Sequence, residues 1–65
     1  MTWRELKRWA RKNGWTEPRA VYFGGFAKVW MHKGLICIEA HNYAHIASAK
    51  RALCRAVARI LESER

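Results

Sequence analysis

The chain has 65 residues, 51% hydrophobic and 28% charged, and its thirteen Lys and Arg against five Asp and Glu give a formal net charge of +8. That length fits one small domain over residues 1–65, burying about 60% of the surface that the unfolded chain exposes, and leaves no room for a second core. No run approaches the roughly 20 apolar residues of a membrane span, and Met1-Thr2-Trp3-Arg4 opens no signal-peptide pattern, so the cytoplasm is the expected compartment.

The first predicted element is a helix over about residues 3–12. Thr2-Trp3-Arg4-Glu5 has the form of a capping box, in which the Thr2 hydroxyl and the Glu5 carboxylate each satisfy an orphan amide of the first turn. Trp3, Leu6, Trp9 and Ala10 recur at three and four residues as one apolar stripe, with Arg4, Lys7, Arg8, Arg11 and Lys12 around the rest. Asn13-Gly14 supplies a left-handed stop, Trp15 folds back on the last turn, and Pro18 forbids continuation. Trp3, Trp9 and Trp15 are therefore read as core and cap contacts.

From Arg19 to Ala40 the period changes from helical to alternating, and three strands fit. Arg19 to Phe23 is the first; Gly24-Gly25 permits a tight primed turn; Phe26 to His32 is the second. Lys33-Gly34 turns again, and Leu35 to Ala40 is the third. Alternation assigns Ala27, Val29 and Met31 to the core together with Ile36, Ile38 and Ala40. Phe26, Lys28, Trp30 and His32 fall on the opposite face with Leu35, Cys37 and Glu39. After His41-Asn42, with Asn42 as N-cap, helical spacing returns. Ile46, Ala49, Leu53, Val57 and Ile60 form its inner stripe, helped by Ala56 and Leu61. The predicted fold is α+β in the order α-β-β-β-α, a three-stranded antiparallel sheet with both helices packed on one face.

Cys37 and Cys54 lie in different elements and are expected as free thiols in a reducing compartment. No CxxC pair occurs and the three histidines lack a third local ligand, so neither a metal nor another cofactor is expected. Nothing in the pattern suggests a small-molecule substrate.

Charge is unevenly spread. Residues 1–19 hold six cations and two acids, 20–42 hold two and one, and 43–65 hold five and two. Lys50, Arg51, Arg55 and Arg59 form a row on the last helix, and the four-residue spacing of the arginines costs about 0.2–0.5 kcal/mol per like-charged pair. A polyanion along the helix would convert that repulsion into attraction and release counterions, so nucleic acid is the first partner to consider. Tyr22, Phe26, Lys28 and Trp30 suggest a second surface on the open sheet face. It is either a stacking platform for bases, with Lys28 and Trp30 in contact, or a partner interface through Tyr22, Phe26 and Trp30 for another protein or a second copy.

Two resemblances to small RNA-handling domains enter here. Arg4-Glu5-Leu6 through Lys12-Asn13-Gly14-Trp15 resembles the opening helix of HicA-type messenger-RNA interferase toxins with its KNGW ending. Gly25 through His32 is similar to that family's second strand, GSHHIYRH, and Ile38-Glu39-Ala40-His41 to its third strand and following histidine. The resemblance implies the same α-β-β-β-α scaffold. It also implies a catalytic histidine after the Gly-Ser pair, but alignment on Gly25 puts Ala27 there and alignment on Gly24 puts Phe26, and neither moves a proton. Ala47-Ser48-Ala49-Lys50-Arg51-Ala52 resembles the start of the final helix of double-stranded-RNA-binding domains, which implies phosphate contacts for Lys50 and Arg51.

Three functional expectations follow. The leading one is a non-catalytic nucleic-acid-binding domain, for RNA more than DNA. The second is an inhibitor or adaptor docking a protein through the open sheet face, a product of the kind that phages and mobile elements encode in toxin-antitoxin-like systems. The third is a ribonuclease with a relocated histidine, for which His32 and His41, and less so His45, are candidates.

Overall fold

A computed structural model describes residues 1–64. The elements are α1 (Trp3–Lys12), β1 (Arg19–Phe23), β2 (Phe26–Lys33), β3 (Ile36–Tyr43) and α2 (Ile46–Ser63), an α+β arrangement around an antiparallel sheet of order β1-β2-β3. Helix α1 starts at the expected capping box: the Glu5 amide donates to Thr2 Oγ1 at 3.2 Å and the Thr2 amide donates to Glu5 Oε1 at 3.1 Å. It stops where Gly14 takes a φ of +79°, letting the Trp15 amide bond the Ala10 carbonyl at 2.9 Å and bringing the Trp9 and Trp15 rings to 6.0 Å. Thr16 then ties the linker to the sheet, its amide donating to the His32 carbonyl at 2.8 Å and its hydroxyl accepting from the His32 amide at 3.0 Å.

Gly24 and Gly25 have φ of +57° and +81°, the left-handed pair that a two-residue primed turn demands and that β-carbon-bearing residues resist. Phe23 and Phe26 are consequently partners, and the ladder runs back through Val21–Lys28 to Arg19–Trp30. The second hairpin differs from expectation by one residue. Lys33 pairs with Ile36, so the turn is Gly34-Leu35 and Leu35 lies outside the strand, fully exposed.

The larger departure is at the far end of β3, which continues through His41, Asn42 and Tyr43. Val29 pairs with Ala40 but Ala27 with Tyr43, an extra residue on β3 and hence a bulge. Asn42, expected as a helix N-cap, instead has a φ of +66° inside this bulge. The bulge resets the alternation, so Tyr43 rather than Asn42 reaches the helix side and packs on the core. His45 is the N-cap of α2, with no side-chain capping bond.

The core joins one face of β2 to both helices: Leu6 and Ala10 from α1, Ala27, Val29 and Met31 from β2, and Ala49, Leu53, Cys54 and Val57 from α2 are buried, with Trp3, Trp9, Trp15, Ile38, Ala40 and Tyr43 packed around them. Both helices therefore cover the same sheet face. Two members of the expected core sit outside it. Ile36 is 62% exposed and Ile60 39%, because they flank a groove of about 440 Å³ between the last turns of α2, Trp9, Trp15 and the β2–β3 turn. Cys54 takes the inward position instead, and burial pushes its thiol pKa up. Cys37 is free and exposed on the opposite face. Among the described residues no helix is long and apolar enough to cross a membrane.

Candidate nucleic-acid interface

Helix α2 positions the cationic row. Its inner side holds Ala49, Leu53 and Val57 against the sheet, so residues two positions on, Arg51, Arg55 and Arg59, are exposed. Four residues of helix rise about 6 Å, so the guanidinium groups stand on stems spread over about 12 Å. Arg51 Nη2 donates to Ser48 Oγ at 3.4 Å. Lys50 turns toward α1, its Nζ lying 5.0 Å from the centre of the Trp3 ring, a cation–π contact that leaves the charge at the surface. Thr2 and Trp3 at the start of α1 with Lys50, Arg51, Cys54 and Arg55 of α2 line a groove of about 300 Å³.

Three of the five acids lie outside α2, and the other two, Glu62 and Glu64, at its C-terminal end. Glu17 is held by Lys7 at 3.4 Å and Arg11 at 3.3 Å, and hydrogen bonds from Arg11 and then Lys7 lower its pKa. Glu5 is engaged in its capping box, where the Thr2 amide and then the Thr2 hydroxyl hold its carboxyl below the ordinary value. Glu39 is bound by Lys28 at 3.4 Å, with His41 Nε2 at 3.8 Å. Among the described residues, none of Lys50, Arg51, Arg55 and Arg59 forms an ion pair. Glu17 and Glu39 are held by other cations, Glu5 is engaged in its capping box beside the groove, and Glu62 and Glu64 lie at the C-terminal end of α2 without an ion pair to the ridge among the described residues.

The sheet face differs from expectation in two ways. Tyr22 does not join Phe26 and Trp30. It pairs with Ala27, a core residue, and residues directly opposite in a ladder share a face, so Tyr22 stands on the helix side at the sheet edge. Val21 and Phe23 take its place beside Lys28 and Phe26. That follows from the Gly24-Gly25 turn, since a two-residue loop makes Phe23 and Phe26 partners and sends Tyr22 to the other face. Lys28, expected as a free phosphate contact, is paired with Glu39, with its Nζ also 5.4 Å from the Trp30 ring centre. The cross-strand register that opposes Trp30 to Glu39 brings this acid to the patch and cancels the lysine.

Phe23, Phe26, Lys28, Glu39 and His41 surround a shallow groove of about 240 Å³. His32 lies opposite Cys37 near the other end of β2, four residues from Lys28 and so about 13 Å along the strand. His32 and His41 are therefore not brought together. His41 was expected at a helix start with His45, but it lies in β3 and only His45 borders α2. Ala27 is fully buried and Phe26 is on the open face, so the two positions that align with the toxin family's histidine are a core methyl group and an exposed ring. Among the described residues no group of three or more His, Cys, Asp or Glu is arranged to hold a metal ion. No family model matches the chain, and no curated protein or solved structure matches it.

Proposed function

We propose that this chain is a small non-catalytic domain that binds nucleic acid along α2, with Lys50, Arg51, Arg55 and Arg59 contacting phosphates. One observation carries the reading: on a chain of net charge +8, the four cations of α2 have no ion-pair partner among the described residues, while acids elsewhere do. Stacked like charges cost the isolated fold free energy; a phosphate backbone recovers it and adds counterion release. RNA is favoured over DNA on the two motif resemblances, to HicA-type toxins and to double-stranded-RNA-binding domains, and a cytoplasmic setting accords with such a ligand. Lys28, neutralised by Glu39, takes a minor role, with Trp30 beside it.

Replacing Arg51, Arg55 and Arg59 together by glutamine abolishes retardation of a labelled RNA in a low-salt shift assay under this reading. Unchanged retention refutes it. A protein-docking role for the sheet is the second reading, and it rests on Phe23 and Phe26, 64% and 53% exposed side by side at one end of the sheet. In that case Phe26→Ala and Trp30→Ala abolish capture of the partner and the arginine changes do not.

A further inference from the structure

We propose that two copies of this chain pair through the free edges of β1, antiparallel and centred on Val21, to form one continuous six-stranded sheet. The sheet order makes β1 an edge. Because Phe23 and Phe26 close a two-residue hairpin, the alternation of antiparallel hydrogen bonding turns the backbone groups of Phe23, Val21 and Arg19 toward β2 and those of Ala20 and Tyr22 outward. An outward row of this kind is a template for another strand unless something blunts it. Nothing on β1 does. Arg19 to Phe23 contains no proline, no bulge and no inward charge, and all five residues are exposed. The other edge, β3, is interrupted by the bulge at Asn42.

The strand is complementary to itself in only one register that satisfies the outward groups. With Val21 opposite the partner's Val21, Ala20 and Tyr22 each donate to and accept from the partner's Tyr22 and Ala20. On the open face the two valines meet, and Arg19 lies over the partner's Phe23, a cation–π pair rather than a like-charge clash. Val21, Tyr22 and Phe23, 39%, 55% and 64% exposed, all gain cover. The contact is small, below the roughly 1,200 Å² of standard interfaces, so it is weak and reversible. The charge of +8 on each copy opposes it, and salt that screens this repulsion strengthens it. A two-fold axis through the valine pair, normal to the sheet, keeps both helical layers on one side. If the nucleic-acid reading holds, on which this consequence alone rests, the dimer presents two α2 ridges to one polyanion.

The test is register-specific cross-linking of the full chain, freed of nucleic acid and held in 0.5 M salt, in a Cys37→Ser background. Val21→Cys should form a disulfide-linked dimer when oxidised glutathione accepts the electrons of the two thiols, since a non-hydrogen-bonded pair brings the Cα atoms to about 4.5 Å, within disulfide reach. Arg19→Cys alone should stay monomeric, because its own copy lies several residues away, but should cross-link when mixed with Phe23→Cys. No dimer from Val21→Cys beyond the Cys37→Ser parent, or equally fast cross-linking of Arg19→Cys alone, overturns the proposal. Both outcomes are read without nucleic acid, so they are independent of whether α2 binds it.

Discussion

Removing charge from α2 should weaken binding and strengthen the fold at once. Each phosphate contact contributes about 0.7–0.9 to the slope of log affinity against log salt. If Lys50, Arg51, Arg55 and Arg59 each make one, the slope is about −3, and raising salt from 50 to 200 mM costs the wild type roughly 50- to 150-fold in affinity. The variant Arg51→Gln, Arg55→Gln, Arg59→Gln gives no shift at low salt, and any residual binding that anisotropy detects at high protein concentration should show a slope near −1, a loss of only about threefold over the same range. The same substitutions relieve two like-charged pairs at four-residue spacing, each about 0.2–0.5 kcal/mol. They break no ion pair among the described residues, only an exposed Arg51–Ser48 bond. The melting temperature should therefore stay level or rise by up to about 8 °C, the shift that ~1 kcal/mol produces in a domain this small. Fluorescence anisotropy of a labelled RNA across a salt series measures the slope, and thermal unfolding followed by circular dichroism measures stability. An unchanged slope, or a melting temperature several degrees lower, would refute the reasoning, the second by revealing that the arginines hold the fold together.

Lys28→Gln should change RNA affinity less than twofold, since Glu39 already neutralises that lysine; a loss matching that of Arg55→Gln in the same anisotropy assay would contradict the minor role given to Lys28. Leu53→Ala, at a fully buried site, should cost about 2–5 kcal/mol, against a total stability of about 3–10 kcal/mol for 65 residues, so urea unfolding should show its midpoint collapse or the transition vanish. Gly25→Ala should destabilise by about 1–2 kcal/mol from its φ of +81° alone, because a Cβ there meets nothing within 4 Å; a neutral result in thermal melts would remove the primed turn as a determinant. Glu5 and Glu17 have lowered folded-state pKa values. They contribute stability that is complete above their unfolded value of 4.5 and that disappears as pH falls through the lower folded values. The wild type should thus lose stability between pH 5 and the acid limit, and the double change Glu5→Gln, Glu17→Gln should flatten that decline.

What could be read in advance was local. The capping box, the apolar stripe and Asn13-Gly14 are signals within one stretch of backbone, and α1 has the bounds they predict. The turn at Gly24-Gly25 likewise depends on two residues. The end of β3 does not. Asn serves equally as an N-cap and as a left-handed bulge residue, and what decides between them is Tyr43 packing opposite Ala27, a contact between strands. Ile36 and Ile60 satisfy the core periodicity of their elements but flank an unfilled groove, which no single-element pattern registers. The candidate site divides the same way. The four-residue arginine repeat was visible because a helix alone exposes it. The cancellation of Lys28 was hidden, since it needs the β2–β3 register that brings Glu39 across.

Both hairpins close through loops of only two residues, so the whole sheet is assembled from neighbours in the sequence. Bringing such strands together forfeits little chain entropy, which favours rapid pairing within the sheet. The apolar strands Phe26–Lys33 and Ile36–Tyr43 should therefore re-pair within one chain more readily than with a second open chain.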